Sequence, residues 1–362
     1  MNKKLLLLLV LVLVLFFDVY RHRDWLWLRP QESWAPLKSE EPAFTPTCDV
    51  TFRLLRERKF AELEALTSEH RGRNVKLGEC DLLTLDTFYG YFDFSSSTPD
   101  AYWESVASQL REWAKAYPES PTPLVALGNL YINFGWNARG NGYADTVTEQ
   151  GSKLLDERVR QAKGYLEQAA ALKIQDPCIY QDLVGVALSL SDLPREYMEQ
   201  AYERGVALEP NFVSTYRAKA NYLLPRWYGA PGEWEAWLKK AADDRGGKEG
   251  DIIYAWVASD VARTEYEDFF HKTGADYPRM KRGFEAALGL DGKNNYDTNL
   301  NYLGFFACMA GDRDTAVNSF KRMEGHWMQS IWVSSSYFNR CRAWAADPIL
   351  NANPGPNPYA VR

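Results

Sequence analysis

Histidine is scarce in this chain. His22, His70, His271 and His326 are its only four, and none forms an HExxH pair or stands at His–carboxylate spacing. A zincin-type metal site is therefore excluded by residue supply. Cysteine is equally unhelpful to metal or redox chemistry. Cys48, Cys80, Cys178, Cys308 and Cys341 make no CxxC pair and have no histidine at ligand spacing. Their odd number leaves at least one thiol free, with Cys48–Cys80 and Cys308–Cys341 the pairings open to the chain in an oxidising compartment. Also missing are the Gly-x-Ser-x-Gly elbow and the Gly-x4-Gly-Lys phosphate loop. Gly140-Asn141-Gly142 lacks the preceding strand that a dinucleotide site needs. No cofactor or metal is expected. There is no basic stripe either: the net charge is −6 with both signs interspersed, which argues against a nucleic-acid partner. Finally, no segment alternates polar and apolar residues at strand period, so no sheet is predicted.

What is present begins at the N-terminus. Lys3 and Lys4 precede an apolar run at residues 5–17. Its thirteen residues match the hydrophobic region of a secretory signal and fall short of the roughly 17–25 that a spanning helix needs. No small-x-small site follows closely. The nearest, Ser33-Trp34-Ala35, stands before Pro36, which disfavours cleavage. Trp25 and Trp27 suit a membrane–water interface. Residues 1–28 are therefore read as a hydrophobic helix serving as signal anchor, or else as a cleaved signal peptide. Pro30, Pro36, Pro42 and Pro46 make residues 29–47 a tether. The closing residues, 346–362, carry Pro348, Pro354, Pro356 and Pro358 and read as a disordered tail.

Between them, residues 48–345 carry a repeat. Leu300, Leu303, Gly304, Gly311, Ala316 and Phe320 fall at offsets 0, 3, 4, 11, 16 and 20. That is the spacing of a tetratricopeptide-type helix pair, in which a small residue (Gly304) of the first helix meets a large one (Phe320) of the second. Leu124, Leu127, Gly128, Tyr131 and Gly135 repeat the first part of the pattern, but the second helix resumes only at Ala162, Leu166 and Ala169. The expected position is 140, so 22 extra residues enter the turn and residues 136–155 are read as an insertion. Further pairs are read from Tyr180 with Met198, Tyr216 with Trp234, and Ile252 with Met280. The predicted fold is all-α: a right-handed α-solenoid of tetratricopeptide-like pairs with about a dozen helices and a terminal capping helix at residues 327–345.

Three stretches are less generic. They are Pro118-Glu119-Ser120-Pro121, then Trp136-Asn137-Ala138-Arg139-Gly140-Asn141-Gly142-Tyr143-Ala144, then Leu223-Leu224-Pro225-Arg226-Trp227-Tyr228-Gly229. Together with Lys59-Phe60-Ala61-Glu62-Leu63 they resemble the bacterial domain-of-unknown-function family 4034 over roughly residues 48–345. The resemblance implies a bacterial origin and one helical domain, and it implies no activity.

Five residues are candidates for partner binding. Trp136 and Tyr143 could stack on a ligand in a loop over a groove, and Arg139, the only Arg or Lys between Lys115 and Lys153, could take an anionic group. The bland reading makes the same stretch a long turn with Trp136 plugging the core. Asn129 and Asn133, one turn apart, could bond a peptide backbone or form a solvated polar face. Trp103, Trp113, Trp234, Trp237 and Trp256 stand at core spacing. The expectation is a non-enzymatic binding scaffold at the bacterial inner membrane, single-pass through its N-terminal helix, with a periplasmic body that docks a protein or peptide. Alternatives are release to the periplasm after cleavage, an enzyme or small-ligand receptor using residues 136–143 as a lid, and a structural part of an envelope assembly.

Overall fold

A computed structural model of the chain describes residues 38–39, 46–71, 85–140, 142, 146–265 and 268–347. Residues 1–28, most of the tether and nearly all of the tail lie outside these, as do Cys80 and Tyr143. The described residues form seventeen helices: α1 (Pro46–Arg56), α2 (Phe60–Arg71), α3 (Leu85–Gly90), α4 (Asp100–Ala116), α5 (Thr122–Arg139), α6 (Glu149–Ala170), α7 (Pro177–Ser189), α8 (Arg195–Leu208), α9 (Val213–Tyr222), α10 (Glu233–Arg245), α11 (Gly247–Glu265), α12 (Phe269–Lys272), α13 (Tyr277–Ala287), α14 (Lys293–Ala310), α15 (Arg313–Met323), α16 (Gln329–Trp332) and α17 (Ser335–Ala346). The one exception to an all-helical fold is a two-residue parallel pair. In it β1 (Lys38–Ser39) lies beside β2 (His326–Trp327), with Lys38 opposite His326 and Ser39 opposite Trp327. The expectation of no sheet is corrected to that extent; within the stretch read as a tether, residues 38–39 pair with the far end of the chain and α1 opens at Pro46. Proline suits a first helical position because the N–H it lacks would have no intrahelical partner.

The helices pack in sequence order. Pairs α5 with α6, α7 with α8, α11 with α13 and α14 with α15 make the most extensive contacts. The first helix of a pair also meets the one before it, as α9 meets α7 and α11 meets α9. This is the contact pattern of stacked helix pairs and is compatible with a helical solenoid. Four of the five pairs read from the sequence are tight. The Tyr216–Trp234 pair is loose, because residues 223–232 intervene and α10 packs chiefly on α11. One continuous core runs through the stack, with Trp103, Trp113 and Trp234 fully buried and Trp237 and Trp256 partly so.

Caps explain the boundaries. Asp176, Asp276, Asp312 and Ser334 each accept a backbone N–H from the first turn of the helix that follows. Gly311 closes α14 in the left-handed region at φ 74°.

Gly135, taken as the equivalent of Gly311, is not a turn. It lies inside α5, where an added Cβ would meet Leu155 Cδ1 at 3.1 Å and Val159 Cγ2 at 3.2 Å. Helix α5 therefore runs on to Arg139, and α6 opens at Glu149 with Thr148 as its cap, accepting from Gly151 N at 3.0 Å. Only residues 140–148 separate them. The insertion is mostly helix, an 18-residue α5 paired with a 22-residue α6, about 27 and 33 Å long.

The small-to-large contacts need one correction. A Cβ on Gly128 would sit 2.5 Å from Leu166 Cγ, so α5 and α6 approach as closely as the spacing implied. At Gly304, however, the three nearest atoms are Met323 Cε at 2.7 Å, Ser319 Cβ at 3.2 Å and Trp332 Cζ2 at 3.5 Å, none of them from Phe320. Phe320 turns instead toward the terminal helices, 5.5 Å from the Trp332 ring and 5.3 Å from that of Phe338. Gly304→Leu should overpack Met323 and Trp332 and destabilise the protein by about 1–3 kcal/mol in denaturant titration. A variant with the midpoint of the parent would mean that α14 and α15 do not meet at this face.

Candidate partner-binding rim

Four of the five candidate residues share one face of α5. Asn129, Asn133, Trp136 and Arg139 follow one another by four, three and three residues, which is helical spacing. Trp136 and Arg139 thus stand in the last turn of a packed helix and not in a loop. Asn133 Nδ2 donates to Asn129 Oδ1 at 2.9 Å, so each amide already satisfies the other in part. Tyr143 lies outside the described residues.

Trp136 is the pivot. Its indole Nε1 donates to Ser189 Oγ at 3.0 Å, and Ser189 Oγ donates to Gly185 O at 2.8 Å. Its ring meets Trp227 edge-to-face, with centroids 5.7 Å apart and planes at 82°. Trp227 belongs to the non-helical segment after α9, where Trp227 N and Gly229 N both bond Leu224 O. The same turn stacks Tyr228 on Tyr222 at 4.6 Å and sends the Tyr228 hydroxyl to Leu188 O at 3.2 Å. The second and third family-like stretches, some ninety residues apart in sequence, therefore meet in space.

The meeting place has a simple cause. Helices α5, α7 and α9 all end here, at Arg139, Ser189 and Tyr222. Helix C-termini present unpaired carbonyls and partial negative charge, which favours cationic and donor side chains beside them. Arg139 Nη1 donates to Gly140 O and Gly142 O, both at 3.1 Å, while its guanidinium lies 5.1 Å from the Trp136 ring. Arg226 holds its guanidinium 5.5 Å from the Trp227 ring. The rim so formed sets two touching indoles between two guanidinium groups. Burial raises the Tyr222 and Tyr228 hydroxyls above the ordinary tyrosine value, which keeps both as neutral donors. Tyr228 remains 38 % exposed. The Trp227 Nε1 is buried and has no hydrogen-bond partner among the described residues.

Ser189, Tyr222, Arg226, Trp227 and Tyr228 were not among the sequence candidates. The signal for the last three was their place in a proline-bounded segment, out of helical register, whereas the fully buried tryptophans nearly all stand on long helices.

Elsewhere the chemistry is balanced. An open groove of about 850 Å³ runs between α10, α11 and α13. It is lined by Lys239, Lys248, Arg279 and Arg282 against Asp243, Asp251, Asp276 and Glu285, four charges of each sign. Arg279 bonds Asp243 at 2.7 Å and Asp251 at 2.8 Å, so the groove neutralises itself. Asp243 also takes Lys239, and Asp244 takes Lys240, which makes this acidic pair part of a solvated helix face. On the opposite rim, where α5 and α7 begin, Asp176 is fully buried and accepts from the Tyr89 hydroxyl at 2.7 Å and Cys178 N at 2.9 Å. Burial pushes both Asp176 and Tyr89 above their ordinary values. That pair caps a helix and has no path to solvent. Among the described residues no group of three or more His, Cys, Asp or Glu could hold a metal ion. Comparison with family models, curated proteins and solved structures gives no match.

A double-mutant cycle tests the pivot. Trp136→Phe and Ser189→Ala should each destabilise by about 1 kcal/mol, with a coupling of the same order because they remove one hydrogen bond. Strict additivity would show that Trp136 is held by packing alone.

Proposed function

We propose that the chain is a right-handed α-solenoid of tetratricopeptide-like pairs, akin to the domain-of-unknown-function family 4034, that acts as a binding scaffold and docks a protein or peptide partner on its aromatic–arginine rim. The observation that carries this reading is the convergence of Trp136 with Arg139 and Trp227 with Arg226 from distant segments onto one partly exposed surface. Tryptophan, tyrosine and arginine are the side chains that dominate binding energy at protein interfaces. The chemistry suits a peptide that places an aromatic or proline ring beside a carboxylate, the ring against the indoles and the acid against a guanidinium.

The membrane half of the proposal rests on the sequence: residues 1–28 hold the body at the bacterial inner membrane, on its periplasmic side, or direct it there before cleavage. None of the described helices is long and apolar enough to cross a membrane.

A photo-crosslinking amino acid at Tyr228, introduced in cells, should yield discrete adducts with a partner. The same group at Tyr102, which is 44 % exposed on α4, should yield none. Arg226→Glu should reduce the Tyr228 adduct by about tenfold or more, as expected from loss of a charge-assisted contact. Equal labelling from both positions, or none from Tyr228, would contradict the rim as the docking surface.

A further inference from the structure

Cys308 and Cys341 are 33 residues apart, close to one repeat length, and both are fully buried. They lie on α14 and α17, and the contacts around them fix how those helices run. Near the start of α17, the Tyr337 ring meets Phe305 of α14 at 5.7 Å. At its other end, Asp347 O accepts from Arg313, three residues past the end of α14. Helices α14 and α17 are thus parallel, as the first helices of successive pairs should be. Cys308 follows Phe305 by three residues and Cys341 follows Tyr337 by four, so each thiol stands one turn further along the face that carries the ring contact. The Cys341 thiol stands near enough to act on that of Cys308.

We propose that Cys308 and Cys341 are a disulfide site that staples the terminal helix α17 to the last full helix pair. Disulfide Cα atoms stand 4.4–6.8 Å apart, which facing positions on two closely packed helices can supply with a small shift. Burial, with the neighbouring Cys341 thiol, raises the Cys308 thiol well above its ordinary value, so the folded protein resists solution oxidants. The bond accordingly forms while α17 is undocked, during folding in an oxidising compartment. The oxidant is a small or protein-borne disulfide. One cysteine thiolate attacks it to give a mixed disulfide and a free thiol, and the second thiolate then displaces the remaining sulfur. Two electrons pass to the oxidant, which leaves as two thiols carrying the two protons. Buried Cys178 and the sequence-remote Cys48 and Cys80 take no part in this bond.

The full-length chain, unfolded in denaturant and refolded with oxidised and reduced glutathione, provides the test. After acid quenching and alkylation of remaining thiols, digestion should release one linked peptide pair joining Cys308 and Cys341. The oxidised protein should melt about 5–10 °C above the same sample in reductant, the effect of closing a loop of this length. Cys178→Ala should keep both the linked peptide and the shift, whereas Cys308→Ala should lose both even though its reduced form still folds. Recovery of Cys308 and Cys341 as alkylated thiols, a dominant linkage through another cysteine, or an oxidised form that melts no higher than the reduced one would each overturn the proposal.

Discussion

Close approach of neighbouring helices is the constraint on which this structure depends. At Gly128 and Gly304 the facing helix stands so near that even a methyl group would collide with a side chain of its partner. At Gly283 it would collide with the Asp251 backbone carbonyl. Such contacts exist only between helices adjacent in the stack, so each pair buries its apolar stripe on the next. The aromatic residues follow the same logic. Trp103 stacks on Phe134 at 4.9 Å between α4 and α5, and Phe284 stacks on Phe306 at 5.7 Å between α13 and α14. Among the described residues the core passes from pair to pair as a relay.

The rim is a consequence of that relay. When successive first helices point the same way, their C-termini gather on one edge, and every unpaired carbonyl there needs a donor. Arg139 and Tyr228 supply donors to Gly140, Gly142 and Leu188. Arginine brought for that structural reason then lies against indole rings, which is also how an interface hot spot is composed. Structure and binding share the same side chains here. Loss of binding in an Arg139 variant therefore has two sources, and Arg226, on the exposed side of the rim, separates them better.

The parts of the fold set by local pattern were legible. The helix class, four of the five pairs and the contact of Gly128 with the second helix of its pair all follow from offsets along the chain. What failed depended on distinguishing two uses of glycine. Gly311 ends a helix with a positive φ, and Gly135 lets two helices touch; a spacing rule assigns both to the same place. The error moved Trp136 and Arg139 out of α5 and into the connection that follows it. Ser189, and the meeting of Trp227 with Trp136, were illegible for another reason: what brings these residues to Trp136 is the common ending of α5, α7 and α9, a property of the stack and not of any one segment. Likewise nothing in Lys38–Ser39 announces that it pairs with His326–Trp327.

Nearest-neighbour stacking makes one sharp demand on local stability. A substitution that breaks a single helix contact must loosen its own pair and the pairs beside it while leaving the far end of the stack closed. Gly128→Leu, read by amide hydrogen exchange with mass spectrometry, measures this directly. The account predicts faster exchange in peptides from α4 to α7 and unchanged protection in α14, α15 and α17. Uniform loss of protection across all of these helices would show a single cooperative core and contradict the relay.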